Sequence, residues 1–258
     1  MGVINRDLCK NEVSEKYISK GHTEMKKELS ETAKKADKDL SIILISMAIP
    51  LIVFIFCGNS IMGFCKDLSV NIWLRFIPLT LIQFGLAGLG CVIIMLYRQE
   101  HFRDYGLVKP RFLQTVIMST AVCIPAFIFM LVNNEVDSYL PLQGCLLTRE
   151  SLSCAFPINA LGYALTILVW GFFEGFNYVV ISQKINERYA GGSKHINYGA
   201  IVCGVLCILI HGMIGFDLYT FFEALTTFII IYGMLMIKEK TGNAWGCILI
   251  FILFWNAF

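Results

Sequence analysis

Glu174 is the residue whose surroundings first suggest chemistry. It lies in WGFFEGFNYVVISQKINER, a run from Trp170 to Arg188 that is apolar and aromatic around the carboxylate. An ionisable group inside a membrane span costs about 2.5–3.5 kcal/mol on insertion scales, so it indicates a functional site with polar partners. A carboxylate in such a place can act as a general base once neighbouring groups orient it.

Two other polar side chains stand out in later apolar segments, His211 in VLCILIHGMIGF and Asn256 in ILFWNAF. At 1.5 Å per residue, they lie about 21 and 20 Å from the starts of their helices, and Glu174 lies about 21 Å from the end of its own. Because that helix runs in the opposite direction, the three side chains are predicted to share one depth. We therefore predict a common site within the membrane.

The neighbouring positions agree with this prediction. Asn177 and Tyr178 follow Glu174 by three and four residues, so they extend its polar stripe by one helical turn. Small residues share the helical face of His211 and would let a neighbouring helix approach closely, namely Cys207, Gly204 and Ala200.

Each candidate also has a purely structural interpretation. Glu174 could be a protonated acid bonded to Tyr178 or to a backbone carbonyl. His211 could be a satisfied histidine at the outer interface, and Asn256, near the end of the sequence, could be frayed and exposed. Glu223, early in the sixth segment, is most simply a carboxylate favoured by the helix dipole.

The composition indicates a membrane protein. Hydrophobic residues make up 57% of the 258 residues and charged residues 16%, whereas soluble chains are about 45–50% apolar. In lipid, such runs must be helical because every backbone amide needs a partner within its own segment. The sequence predicts an all-α, polytopic bundle of about seven transmembrane helices, at 40–57, 72–97, 113–132, 156–183, 197–216, 218–237 and 243–258.

The basic residues predict the orientation. With seven crossings, the tail and the segments 98–112, 184–196 and 238–242 share one side, which holds 18 of the 21 Lys and Arg residues. The positive-inside rule places that side, and with it the N-terminus, in the cytoplasm.

The remaining segments indicate which partners and cofactors the sequence predicts. Residues 1–39 form a polar, basic tail without the apolar core of a signal peptide, and Glu24 to Asp39 is predicted to be a solvated or membrane-surface helix. The predicted partner is the lipid bilayer, with no nucleic-acid motif and no indication of an oligomeric state. No cofactor or metal is expected, since Glu174 and His211 supply two of the three protein ligands usual at a catalytic zinc.

The loop 133–155 is the longest connection and is either a lid or a spacer. Cys145 and Cys154 share it and could pair on an oxidising side. The cysteines within apolar runs are interpreted as small packing residues.

From about residue 98 onward the chain resembles the CPBP family, also called the Abi or CAAX protease and bacteriocin-processing family. The family's pattern is EExxxR on one membrane helix, FxxxH on the next, and HxxxN or HxxxD on a later one. Here the order is Glu174, His211, a basic turn in KEKTGNAWG (238–246), and Asn256. FRDYGLVKPRFLQT (102–115) is similar to the family's polar segment before the first motif.

The chain departs from that pattern at four positions. Gly175 replaces the second glutamate, Val179 the arginine, Cys207 the phenylalanine and Ile252 the histidine of HxxxN. The resemblance implies a general base at Glu174, assistance to water activation by His211 and oxyanion stabilisation by Asn256, at a degenerate site.

The resulting interpretation divides the chain into a tail (1–39), two membrane helices (40–97) and a CPBP-like core (98–258). The predicted function is an intramembrane endopeptidase-like protein acting on a CAAX-type or leader peptide, or on a prenylated protein. The alternative is a catalytically inactive membrane scaffold or binding protein. A transporter that uses Glu174 as a proton site has little motif support.

Overall fold

The computed structural model describes the backbone of residues 6–190, 196–213 and 215–258, and the side chains of these ranges from residue 31 onward. Regular structure within these ranges is helical throughout. The α-helices are α1 (Arg6–Lys66), α2 (Ile72–Phe84), α3 (Gly90–Arg98), α4 (Phe112–Val122), α5 (Ile124–Val132), α6 (Thr148–Ser153), α7 (Ile158–Thr166), α8 (Glu174–Arg188), α9 (Tyr198–Ile210), α10 (Leu218–Thr241) and α11 (Trp245–Leu253). The predicted basic tail is therefore described only in part, as the first half of α1.

Two π-helical segments join α-helices into longer rods. The segment π1 (Gly85–Leu89) connects α2 to α3, and π2 (Ile167–Phe173) connects α7 to α8. A π turn inserts an extra residue into the helical ladder and is frequently found at functional sites. Both segments therefore mark places where side-chain direction changes within one continuous helix.

Five helical stretches of the described chain are long and apolar enough to cross a membrane, at Glu31–Lys66, Ile72–Arg98, Phe112–Val132, Ile158–Arg188 and Leu218–Thr241. This confirms the prediction of an all-helical, multi-pass membrane bundle. The two other predicted spans, at 197–216 and 243–258, contain the shorter helices α9 and α11. These helices have 13 and 9 residues, so they are about 20 and 14 Å long, which is shorter than the roughly 30 Å thickness of the hydrocarbon core.

The ends of the helices gather in two groups. At one end, which we call the basic end, the loop 99–111 contacts the turn between α10 and α11. The backbone N–H of Ala244 donates to the Gly106 carbonyl at 2.7 Å, and the buried Asn243 amide donates to the carbonyls of Val108 and Pro110. The segment 102–115 and the KEKTGNAWG turn, both singled out in the sequence, thus fit together.

The opposite end, the loop end, holds residues 133–157. The Tyr139 hydroxyl donates to the Leu253 carbonyl at 2.9 Å. The Tyr219 hydroxyl, at the start of α10, donates to Glu135. Arg75 of α2 is buried and forms a bidentate ion pair with Glu150 of α6. The long connection between α5 and α7 is therefore fixed to three other parts of the bundle.

The helix α8 forms the centre of the bundle and is buried continuously from Glu174 to Ser182. The helices α1, α9 and α11 all pack against it. Small residues permit the close approach: a Cβ at Gly175 would meet the Cys247 carbonyl of α11 at 3.1 Å. On α9, Gly199 packs on the backbone of Ser182, where a Cβ would meet the Ser182 carbonyl oxygen at 2.1 Å, although Gly199 is not one of the small residues predicted on the His211 face.

Candidate functional site

Glu174 is the first residue of α8, directly after π2. Its carboxyl group is buried, with 11% of the side chain exposed. One carboxyl oxygen, Oε2, accepts a hydrogen bond of 2.9 Å from the Gln83 amide. Its partner is thus an amide on α2 rather than Tyr178, whose ring stacks on Phe251 at 5.4 Å.

His211 faces the other carboxyl oxygen. Its Nε2 lies 3.8 Å from Glu174 Oε1, which exceeds a direct hydrogen bond and is within reach of one bridging water. The histidine caps α9 through its backbone N–H, which donates to the Cys207 carbonyl. The imidazole is about one third exposed and packs beside the Trp255 ring, with ring centroids 5.7 Å apart. The structure therefore brings Glu174 and His211 close to one another without a direct hydrogen bond between them.

Asn256 lies beyond the end of α11, in a turn with left-handed backbone geometry (φ 58°). Its carbonyl accepts a hydrogen bond of 3.0 Å from the Gly144 N–H, and Ala257 next to it accepts from Leu140 N–H. The turn is therefore held at both residues rather than frayed. The side chain is exposed toward the same cavity that Glu174 and His211 line.

This cavity has a volume of about 540 Å³ and a mainly apolar wall. Its polar lining is supplied by Gln83, Thr166, Glu174, Asn177, Tyr178, His211 and Asn256. Of these, Gln83 and His211 lie next to the Glu174 carboxyl. The apolar wall comes from α1, α2, π2 and α9, and includes Leu44, Met47, Leu79, Trp170, Leu206 and Ile210. A ligand here would meet hydrocarbon on most sides and hydrogen-bonding groups at one place.

The edge of this cavity reaches the surface of the bundle. Leu44 of α1 and Ile210 of α9 line the cavity, yet they are 68% and 48% exposed. Both helices pack on α8. The wall on this side therefore consists of two helices that face the surroundings as well as the cavity.

The loop 133–155 covers the loop end of the cavity. Gly144 to Leu147 line it, and the loop is bonded to residues 253–257 through Tyr139, Leu140, Gln143 and Gly144. This segment is part of the wall rather than a spacer. Cys145 and Cys154 both carry free thiols, and burial, together with the nearby Glu174 charge, raises the pKa of Cys145 to about 12.

Sequence reasoning missed Gln83 and Cys145, which line the cavity beside the three predicted residues. Gln83 is a lone amide in the apolar run LTLIQFGLAGLG, and that isolation was a usable signal. Cys145 gave no such signal, because a cysteine in a loop is not part of a periodic pattern of apolar and polar residues. Glu223 does not line the cavity, consistent with its structural interpretation.

Three of the four positions that differ from the CPBP pattern lie in closely packed parts of the structure. A Cβ at Gly175 would lie 3.1 Å from the Cys247 carbonyl and from the Ile248 Cα, so any larger side chain there requires α11 to shift. Val179 is fully buried in the core. Ile252 packs on Gly171, where a Cβ would meet Ile252 Cγ1 at 2.6 Å. Gly175 and Ile252 thus lie in the contact that α11 makes with α8 and π2.

Lys184, ten residues after Glu174 on α8, is a second buried charged residue. It belongs to a set that we call the ionic cluster, formed by Lys184, Asp39, Arg98, Glu100 and Glu187. The Lys184 ammonium lies 3.0 Å from Glu100, 3.2 Å from Asp39 and 3.4 Å from Glu187. Arg98 adds a bond of 2.9 Å to Asp39. This cluster joins α1 and α3 to α8 at the basic end.

Tyr105 closes the ionic cluster from the loop 99–111. Its hydroxyl donates to Glu100, and its ring is fully buried. Burial and this hydrogen bond raise the pKa of Tyr105 well above its usual range. The hydroxyl therefore stays protonated as a donor to the cluster.

No group of three His, Cys, Asp or Glu residues suited to a metal ion occurs among the described residues. Among the described residues that line the cavity, the side chains of these four types are Glu174, His211 and Cys145. Comparison with known proteins found no matching family model, no matching curated protein and no matching solved structure.

Proposed function

We propose that the chain is a divergent CPBP-like intramembrane endopeptidase whose reduced site is centred on Glu174, His211 and Asn256. The observation that supports this most directly is the 3.8 Å separation of the Glu174 carboxyl and the His211 imidazole in an apolar cavity that Asn256 also lines. A base, a second proton carrier and an amide donor are the groups that amide hydrolysis requires.

In the proposed reaction a water lies between Glu174 Oε1 and His211 Nε2. Glu174 accepts a proton from this water as its oxygen attacks the scissile carbonyl carbon, and the carbonyl oxygen becomes an oxyanion. The Asn256 amide donates a hydrogen bond to that oxyanion. The proton then passes to the leaving nitrogen as the C–N bond breaks, which regenerates the carboxylate.

The substrate is proposed to be a peptide attached to or dissolved in the membrane, such as a CAAX-type or leader peptide, or a prenylated protein. It would reach the site between α1 and α9, where Leu44 and Ile210 are exposed. We propose that α9 and α11 also lie within the bilayer, which gives seven membrane segments with the N-terminus and the basic end in the cytoplasm. Successive helix ends alternate between the basic end and the loop end, and the Lys and Arg residues are concentrated in segments predicted to share one side. Both features support this orientation.

The test uses the full chain, purified and reconstituted into liposomes with farnesylated CAAX peptides or leader peptides, and detects cleavage products by mass spectrometry. Glu174→Gln keeps the shape but removes the base, so we expect cleavage to fall by about 10²–10⁴-fold. Glu223→Gln is the matched control, since it changes a membrane carboxylate outside the cavity, and it should leave cleavage unchanged.

Cleavage that persists in Glu174→Gln would refute this mechanism. Asn256→Ala should lower the rate by about 10²–10³-fold if its amide stabilises the oxyanion.

A second function, a non-catalytic binding protein, is favoured by one specific observation. The positions of the second glutamate and the second histidine are occupied by close packing of Gly175 and Ile252. Under this alternative, the cavity binds an apolar ligand whose polar group contacts Glu174. No cleavage of either substrate class, together with saturable binding that Glu174→Gln weakens, would favour it.

A further inference from the structure

Gln83 is the cavity residue with the most direct contact to Glu174. Its amide nitrogen lies 2.9 Å from Glu174 Oε2, although the two residues are 91 positions apart in the chain. An amide in an apolar helix is itself disfavoured, so a specific partner accounts for its presence. The structure shows that partner to be the candidate catalytic carboxyl.

The two oxygens of Glu174 have different neighbours. Oε2 accepts from Gln83 on α2, and Oε1 faces His211 on α9. The hydrogen bond to Oε2 restrains rotation of the carboxyl about its last torsion, because rotation would carry Oε2 away from the donor. Oε1 is thereby held on the side of the imidazole.

The backbone around both residues fixes this alignment. Gln83 lies just before π1 and Glu174 just after π2. The two rods touch through Phe84 and Phe173, whose rings meet edge to face at 5.1 Å. At Gly88 a Cβ would lie 2.4 Å from the Phe84 ring and 3.1 Å from the Phe173 ring, so a larger residue would displace these rings. Gln83 and Glu174 thus meet beside a close contact between the two rods, next to the two π segments.

We propose that Gln83 is the positioning residue of this site, which holds the Glu174 carboxyl with Oε1 toward His211. The proposal concerns the site of the proposed function, yet its test does not require cleavage of any substrate. Gln83 contacts the carboxyl rather than the attacking water, so its role is to orient the base.

The experiment is infrared difference spectroscopy on the full chain in liposomes, with pH steps that protonate and ionise carboxyl groups. The Glu174 carboxyl band is assigned by its loss in Glu174→Gln. In Gln83→Met, which keeps the length but removes the donor, this band should move to higher frequency, because a carbonyl that loses a hydrogen bond stiffens. Gln83→Asn, whose amide is one methylene shorter, should give a shift in the same direction.

Thr80→Val is the control, because Thr80 lies one turn earlier on α2 and does not line the cavity. It should leave the Glu174 band in place. A Glu174 band that is the same in the natural protein, Gln83→Met and Gln83→Asn would overturn the proposal. A band shift in a protein that cleaves nothing would leave the positioning role standing and refute only the endopeptidase.

Discussion

The helix α8 carries two buried ionisable groups in very different surroundings. Lys184, near its end, has three carboxylates within 3.4 Å, one of which also binds Arg98. Glu174, at its start, has one hydrogen bond of 2.9 Å from a neutral amide and an imidazole 3.8 Å away. One charge is fully surrounded by partners, and the other faces a cavity.

The difference separates a charge whose partners are complete from a carboxyl group that keeps free acceptor capacity. A buried charge with opposite charges on every side contributes to folding, and little remains for a ligand to bind. A buried carboxyl with one neutral partner keeps acceptor capacity that a water or a ligand group can use. The same helix therefore binds α1 and α3 through the ionic cluster at the basic end and exposes the Glu174 carboxyl group to the cavity.

Removing the cation of the ionic cluster should have the largest effect on stability. Lys184→Met removes the ammonium that lies between the Asp39, Glu100 and Glu187 carboxylates, and Arg98 compensates the charge of Asp39. Breaking a buried ion pair on one side costs about 3–5 kcal/mol. Thermal unfolding of the purified protein in detergent measures this. Lys240→Met, at an exposed lysine near the end of α10, should change stability by less than about 0.5 kcal/mol.

Filling the contact between α8 and α11 should have an intermediate effect. In Gly175→Ala the new methyl group would lie 3.1 Å from the Cys247 carbonyl and the Ile248 Cα, so the helices must separate. Overpacking of this kind costs about 1–3 kcal/mol. Gly63→Ala is the control, because a methyl group there meets nothing within 4 Å. An equal or higher melting temperature for Gly175→Ala would contradict the packing reason for the missing second glutamate.

Replacing the cavity carboxyl should have the smallest effect on stability. Glu174→Gln keeps an acceptor for the Gln83 amide and removes no opposite charge from its partners, so the free energy of unfolding should change by less than about 1 kcal/mol. The same unfolding assay measures it beside Lys184→Met. A loss comparable with that of Lys184→Met would show that Glu174 is a structural group, and the contrast between the two ends of α8 would disappear.

Much of the helical framework could be predicted from the sequence. Long apolar runs leave only helix available in lipid, so the segments at 72–97, 113–132, 156–183 and 218–237 correspond to helical stretches of the structure. The short helices α9 and α11 were predicted to be longer, because hydropathy continues past the residues where the helices end. His211 and Asn256 lie just after those ends, where capping and loop contacts rather than hydropathy decide the backbone.

The site could be predicted in part for the same reason. Glu174, His211 and Asn256 stand out because each is a polar exception in an apolar run. Gln83 is equally exceptional, but its contact with Glu174 depends on the two π turns and on the approach of Gly88 to Phe173. Cys145 reaches the cavity through the fold of the loop 133–155, and no local pattern encodes that fold. Contacts between distant segments require the packed structure.

The position of Gln83 in the chain has a consequence for biogenesis. A chain made from its N-terminus exposes α2 to the membrane before α8, and α8 before α9 and α11. Gln83 therefore reaches the bilayer before Glu174, whereas His211 and Asn256 follow it. Of these three side chains, the amide is the first that can donate a hydrogen bond to the carboxyl, at the stage when an unpartnered carboxyl is hardest to insert.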